Sequence, residues 1–489
     1  MGVGSMRAPT LALYVGSLLA VVGSLMLSVP IVDLLAGERI LYSFLYASLA
    51  CGAIGILLVA LSLRARTLAE SPLDAVIGYT VAWIAIILVA AIPLSAELGI
   101  SYLDAVFETV SGFTGTGFTV LTHLDTMERG ILFWRALMQW SGELGFATLA
   151  MVLLPFFWAY GSLLYNVERP ARIFASLYRT ARRFLGVYLF FTLAGTVATY
   201  YAGANLFDAL THTMTAIATG GMSNYDDGYT HVYDYAPLTA YPLMVIMFVG
   251  GMSFISMSYL AEGRLKEIWN SEEFRLYLFF VLGTSAAASL LFVADGMRWG
   301  DAMIYGFFNV ISGITTTGFN LGNVEAFDPA IKSLLIIGMY VGGMTFSTAG
   351  GLKVARLLII AKKLKGYAKE TLIGSRLALT TVVVDGKALD EPMVSGALLF
   401  SFVHTAAVAL GAFVAKAFMP WVDFLDAVFD ATSAASCVGL STVVAVPTAP
   451  PVVKLDLIAL MLLGKLEYMP LVALIGLIAH RKVIKMVKP

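Results

Sequence analysis

Charge is what this chain has least of. Only 13% of its 489 residues are Asp, Glu, Lys or Arg, about half the roughly 25% usual in soluble domains, which excludes a water-soluble enzyme. Cysteine is scarce too: Cys51 and Cys437 both stand in apolar sequence, so no disulfide framework is implied. The five histidines show no metal-ligand spacing. No nucleophile triad or phosphate loop is present, and the Gly-Thr-Gly at 115–117 does not complete a dinucleotide fingerprint. Nothing in the sequence therefore points to an enzyme, a resident cofactor or nucleic acid, and any nucleotide control has to come from another chain.

What replaces charge is apolar sequence in lengths set by the bilayer. Hydrophobic residues make up 59% of the chain, and the mean hydropathy is +0.85. A membrane helix takes about 20 apolar residues. Eight uncharged stretches reach or approach that length: 9–32, 40–63, 75–96, 184–207, 235–261, 276–294, 333–352 and 393–415. Two more are apolar but interrupted, about 131–155 by Arg135 and Glu143, and about 455–480 by Lys465 and Glu467. Ten spans are expected, in an all-α integral membrane protein. The first lacks a small-residue cleavage site after a short apolar core and reads as a retained helix.

The few charges alternate in sign between loops. Arg64 and Arg66, Arg169 to Arg183, Arg264 to Arg275, Lys353 to Lys387 and Arg481 to Lys488 mark basic segments, which the positive-inside rule puts in the cytoplasm together with both termini. By contrast, 204–237 carries Asp208, Asp226, Asp227 and Asp234 and neither Lys nor Arg, as an outer loop would. Asp226 and Asp227 either concentrate cations at that face or are simply solvated. The connection 363–390 suits anionic lipid or a docked cytoplasmic partner equally.

Four short segments can be laid over one another: SGFTGTGFT (111–119), TAIATGGMS (215–223), SGITTTGFN (312–320) and SAASCVGLS (433–441). They share one glycine, at Gly117, Gly221, Gly318 and Gly439, and each follows an Asp-Ala pair, at Asp104, Asp208, Asp301 and Asp426. Asp to glycine is 13 residues in three segments and 17 in the third, a difference of about one helical turn. Each unit reads as a span, a short helix N-capped by Asp, an extended loop and a second span. A second register lies inside the second spans: SGELGF (141–146), VGGMSF (249–254), VGGMTF (341–346) and LGKLEY (463–468). Two agreeing registers mean four repeats, 67–166, 167–264, 265–365 and 366–489, after an N-terminal helix pair at 1–66. Glu108, His212 and Asp430, four residues after the Asp, read as hydrogen-bonding the loops from behind.

Irregular backbone at membrane depth must be buried in protein or line water, so four such loops in pseudo-fourfold order make a pore. Glycine permits backbone angles that turn carbonyls inward, and rings of carbonyl oxygens can replace the hydration shell of a monovalent cation. The short helices would aim their negative C-terminal ends at the same axis. The expected lining is Thr114, Gly115, Thr116 and Gly117; Ala218, Thr219, Gly220 and Gly221; Thr315, Thr316, Thr317 and Gly318; and Ser436, Cys437, Val438 and Gly439. A transporter of organic solutes would show inverted repeats, whereas all four units here begin inside and run in one direction.

These loops, with WRALMQW (134–140), SEEFRLY (271–277), FSTAGGLKVAR (346–356) and MLLGKLE (461–467), resemble the Trk/Ktr/HKT potassium transporter superfamily over essentially the whole chain. The extra N-terminal helix pair fits its TrkH/TrkG branch. The resemblance implies four membrane-pore-membrane repeats around one pore, a homodimer in the cell (inner) membrane, and a cytoplasmic ring of TrkA-like nucleotide-binding subunits that gates it. It implies potassium as the transported ion, with ion contacts at Thr116, Gly117, Gly220, Gly221, Thr317, Gly318, Val438 and Gly439. Glycine at 117, where sodium-passing members tend to have serine, favours potassium. Transport that couples potassium or sodium to another ion is the alternative.

In the family the segment matching Thr345, Phe346, Ser347, Thr348, Ala349, Gly350 and Gly351 is an intramembrane loop that gates from below the filter. Taken alone, this run of small and hydroxyl residues fits a moving element or a kinked packing helix, since Gly costs a helix about 1 kcal/mol relative to Ala. Arg356 is either the basic residue that the family associates with the gate or a snorkelling cation. Glu143 departs from the family, which usually has glycine there, whereas a basic residue at Lys465 is common. The first and fourth repeats are neighbours in a ring of four, so Glu143 and Lys465 are expected to pair across adjacent inner helices. Lys465 turning to Glu467 is the competing arrangement.

Overall fold

The computed structural model describes residues 8–64, 72–145, 177–373 and 381–468. Both chain ends, Arg66, Arg169, Arg172, Arg376 and Phe146, and the expected boundaries at 66/67 and 166/167, lie outside the described residues.

The N-terminal pair consists of α1 (Ala8–Met26), α2 (Ser28–Ala36) and α3 (Tyr42–Arg64). The first unit holds α4 (Pro72–Leu98), α5 (Tyr102–Thr114) and α6 (Arg129–Leu144). The second holds α7 (Leu177–Tyr201), α8 (Leu206–Ile217), α9 (Thr230–Tyr235), α10 (Ala240–Gly250) and α11 (Phe254–Ala261). The short α12 (Leu265–Asn270) leads into the third, which holds α13 (Glu272–Ala294), α14 (Trp299–Ile314), α15 (Pro329–Val341) and α16 (Val354–Ile373), the last running unbroken past the expected boundary at 365/366. A small antiparallel hairpin, β1 (Val383–Val384) and β2 (Lys387–Ala388), precedes α17 (Glu391–Phe418), α18 (Phe424–Ala435) and α19 (Pro451–Lys465).

Among the described residues six helices are long and apolar enough to cross a membrane: α1 with α2, α3, and the first helix of each unit, α4, α7, α13 and α17. This is the architecture of an all-α, multi-pass membrane protein. The second helices, α6, α10, α15 and α19, are shorter, at 16, 11, 13 and 15 residues. The uninterrupted spans expected at 235–261 and 333–352 are therefore corrected. The first breaks between α10 and α11, where Ser253 caps the new helix through a hydrogen bond from the Ser256 N–H at 3.0 Å. The second stops at Val341 because Gly342 takes φ +73°, and 342–353 is not helical. The second sequence register thus marks helix ends.

The Asp residues read as N-caps are also relocated. Asp104, Asp208 and Asp426 sit three residues into α5, α8 and α18, whose caps are Ser101, Asn205 and Asp423. Ser101 and Asn205 accept the N–H of Asp104 and Asp208 at 3.1 and 2.9 Å, and the acid then sits in the first turn, where the helix dipole favours it. In the third unit Asp301 follows Arg298, which makes no capping bond, and α14 has 16 residues against 12 or 13 in its counterparts. The extra turn accounts for the longer Asp-to-glycine spacing.

The core arises where each second helix packs on the next unit's short helix: α6 on α8, α10 on α14, α15 on α18 and α19 on α5, so the chain closes on itself. The N-terminal pair clings to the outside of this ring. Gly16, Gly23 and Gly55 let the backbones of α1 and α3 approach without room for a Cβ, as small residues do between membrane helices. Buried Asp33 then ties α2 to α6 by accepting the Gly130 N–H at 3.1 Å.

Candidate functional site

The four loops meet at the centre in a repeating backbone pattern. The shared glycines have φ of +89° (Gly117), +70° (Gly221), +88° (Gly318) and +96° (Gly439). Two residues earlier, Gly115, Thr219, Thr316 and Cys437 are left-handed as well, at +68°, +50°, +56° and +54°. Three of these carry side chains in a region that costs non-glycine residues energy, so the surrounding structure must hold them. Backbone bonds back into the short helices do so: Thr116, Gly220, Thr317 and Val438 donate to Ser111, Thr215, Ser312 and Ser433 at 2.8 to 2.9 Å. In two units a hydroxyl pair bridges the left-handed residue, Thr114 with Thr116 at 2.7 Å and Thr315 with Thr317 at 2.8 Å.

Contacts between loops explain the shared glycine better than flexibility alone. A Cβ on Gly117 would strike the carbonyl oxygen of Gly220, on Gly221 that of Thr317, on Gly318 that of Val438, and on Gly439 that of Thr116. Each glycine faces the next unit's carbonyl, and the fourth faces the first. The structure thus brings the four shared glycines and the carbonyls of Thr116, Gly220, Thr317 and Val438 into one closed succession, with Thr114, Ala218, Thr315 and Ser436 at the helix ends that lead into it.

Behind the ring, one polar residue per unit holds the outgoing strand. Glu108 accepts from the Thr119 hydroxyl at 3.0 Å and the Val120 N–H at 3.3 Å, and Asp430 accepts from Ser441, Thr442, Val444 and Ala445. His212 bonds Ser223 Oγ at 3.1 Å. Sequence reasoning missed the fourth, Asn309, which accepts the Leu321 N–H and donates to its carbonyl, both at 3.1 Å. Counted back from the shared glycine, all four stand nine residues earlier; counting forward from Asp hid Asn309 behind the extra turn.

Buried cations fasten the outer part of the ring. Arg135 donates to Glu108 at 2.8 Å and to the Ser223 carbonyl of the second unit at 2.5 Å. Lys332 on α15 meets Asp426 at 2.8 Å, and Lys454 on α19 meets Asp104 at 2.5 Å. Both lysines stand ten residues before the glycine of the second register, Gly342 and Gly464, a periodic signal not used in the sequence reading. Asp226 accepts the N–H groups of His123 and Leu124 at 2.9 and 3.0 Å, joining the loop before α6 to the loop before α9.

Beneath the ring runs the segment Thr345–Gly351. Thr348 Oγ1 shares its one hydrogen between the carbonyls of Gly250 and Ile217, at 2.9 and 3.1 Å, and accepts from the Thr219 hydroxyl at 3.1 Å. The Gly350 N–H donates to Thr316 Oγ1 at 2.7 Å, and a Cβ on Gly350 would strike the Ser436 carbonyl. Thr345 N–H is held by Glu273 at 2.6 Å, the Phe346 carbonyl accepts from the Phe254 N–H at 3.0 Å, and Ser347 folds back on Met344. The segment therefore touches the second, third and fourth loops from below. Lys353, read from sequence as a cytoplasmic loop charge, is buried, and its ammonium bonds the Ala349 carbonyl.

The first loop meets something else. Lys465 Nζ lies 2.5 Å from Glu143 Oε1, and that carboxylate occupies the space that a Cβ on Gly115 would take. Glu467 pairs with Arg356 at 2.5 Å, and the Arg356 guanidinium also lies 3.9 Å from the Phe400 ring centroid.

Set beside known proteins, residues 47–299 and 293–480 match the TrkH family model, described as a cation transport protein. An uncharacterized cation transporter of Methanocaldococcus jannaschii is 32% identical over 405 residues, 81% of each chain. The Trk system potassium uptake protein TrkH of Escherichia coli K12 is 29% identical over 411 residues, 80% of this chain and 83% of its own. The crystal structure of the potassium transporter TrkH from Vibrio parahaemolyticus superposes with a TM-score of 0.83 at 25% identity, covering 96% of this chain and 98% of that one. A closed ring of four glycine loops inside paired membrane helices and a family match across most of the chain lead to one conclusion: the chain belongs to the TrkH family of cation transport proteins.

Proposed function

We propose that this chain carries potassium across the cell (inner) membrane through the ring of four loops, with both termini in the cytoplasm. The observation that carries the reading is the closed succession of glycines and carbonyls from Gly117 to Gly439 and back to Thr116. Such a ring offers oxygen ligands at fixed spacing to a dehydrated monovalent cation. The relatives named as potassium uptake proteins support potassium as that cation. Thr116, Gly220, Thr317 and Val438 supply the principal carbonyls, and the adjoining residues of each loop hold them.

The segment Thr345–Gly351 is the gate. Its contacts with three of the four loops support a position across the exit, and Arg356, three residues into α16, couples it to the fourth unit through Glu467. A homodimer with a cytoplasmic nucleotide-binding ring would move α16 from the inside.

The test uses purified protein in liposomes, with ion flux and reversal potential recorded under imposed potassium, sodium and pH gradients. Potassium and rubidium are expected to pass well above sodium and lithium, with a reversal potential that follows potassium and ignores pH. Gly117→Ser should admit sodium, because its side chain meets the Gly220 carbonyl. Equal sodium and potassium flux through the unmutated protein would refute the reading, and a reversal potential that tracks pH would replace passive flow by coupling.

A further inference from the structure

Among the described residues, the carbonyl of Gly220 differs from its three counterparts in that a side chain from the neighbouring unit donates to it. Gln139 on α6 is fully buried, its Nε2 lies 2.6 Å from the Gly220 oxygen, and its Oε1 accepts the Met222 N–H at 3.0 Å. Only this orientation of the amide matches donor to acceptor at both ends. One side chain of the first unit thus bridges Gly221 and fixes the strand on either side of it in the second.

Sequence and packing show that the arrangement is particular to this seam. Gln139 stands three residues before Gly142, and the same column in the other units holds Met247, Met339 and Met461, all buried. The residue it reaches is equally exceptional. Thr116, Thr317 and Val438 have side chains where Gly220 has none, and a Cβ on Gly220 would fall on the Gln139 amide. Gln139 and Gly220 are therefore complementary: the amide fills the place of the missing side chain.

We infer that Gln139 is a specificity-determining residue of the transporter, setting the preference for potassium over sodium through the Gly220 carbonyl. The inference rests on reading the ring as the ion filter. A hydrogen bond donated to a carbonyl lowers the field that this oxygen presents to a cation, and a lower field favours the more weakly hydrated ion. The second bond, to the Met222 N–H, keeps the strand from following a smaller ion inward. Losing either contact shifts the balance towards sodium.

The experiment compares potassium, rubidium, sodium and lithium flux through the full-length protein in liposomes for the wild type, Gln139→Met and Gln139→Leu. Methionine reproduces the other three units, so the protein should fold, but it removes both bonds. Leucine removes both bonds with a differently shaped apolar side chain and adds no charge. Both variants should lower the potassium-to-sodium flux ratio, by about fivefold to tenfold for a hydrogen bond of ordinary strength. If Gln139→Met does not fold, the leucine variant decides alone. A ratio that stays within about twofold of wild type, or a uniform loss of flux for all four ions, overturns the inference, since a purely structural residue would change amount and not preference. A wild type that does not discriminate at all would instead sink the proposed function.

Discussion

The ring is held by different chemistry above and below. On the face away from Thr345–Gly351, buried ion pairs fasten it: Arg135 with Glu108, Lys332 with Asp426, and Lys454 with Asp104, the last two joining one unit to the next. On the underside, the second, third and fourth loops rest on hydroxyl and amide groups of Thr348 and Gly350. Removing one partner costs about 3 to 5 kcal/mol for a buried ion pair and about 1 to 3 kcal/mol for a buried neutral hydrogen bond. The ion-paired side is the costlier one to break, which suits the proposed reading of a fixed filter over a moving gate.

The first loop is the exception on the underside, since its support is the Glu143–Lys465 pair. It marks the seam where the chain closes, between the fourth unit and the first.

The comparison breaks most visibly at Lys332. Lys332→Met leaves Asp426 buried without its cation and should destabilise the protein by about 3 to 5 kcal/mol, while Lys332→Met with Asp426→Asn recovers most of that. Thermal unfolding in detergent reads both, and a single variant within 1 °C of wild type would mean that the outer pairs are not what holds the seam.

Next in size is the pair beneath the first loop. Glu143→Gln should cost on the order of 2.5 kcal/mol and leave Lys465 as a fixed positive charge that slows potassium. Combining it with Lys465→Met should restore much of both stability and flux; a double variant no better than either single one would count against the pair.

The smallest effect on stability belongs to Thr348→Val, which removes hydrogen bonds to Gly250, Ile217 and Thr219 and should cost about 1 to 2 kcal/mol. Its sharper consequence is on transport: resting flux should rise with the potassium preference unchanged. Unchanged resting flux in a folded variant would show that the segment is not the barrier.

Much of this was legible in the sequence because glycine is forced wherever a neighbour's carbonyl comes too close. Gly117, Gly221, Gly318 and Gly439 align by identity, and the second register falls where the inner helices end. The left-handed position two residues earlier stayed hidden, since Gly115, Thr219, Thr316 and Cys437 share no common residue type, and the backbone bonds back into the short helices that hold them leave no side-chain signature. Lys353 could not be told from a solvated cytoplasmic lysine, because its partner is a backbone carbonyl, which leaves no trace in composition. Lys332 and Lys454 sat at a common spacing, but two members of four are a weak signal until the acids they face are known.

The central claim is that the ring of glycine loops is where the transported ion binds. A structure of the purified protein in a thallium salt, with the anomalous signal of the metal recorded, tests it most directly. The account predicts thallium peaks on the axis, ligated by the carbonyl oxygens of Thr116, Gly220, Thr317 and Val438. Thallium bound elsewhere in the transport path, with none inside the ring, would contradict it.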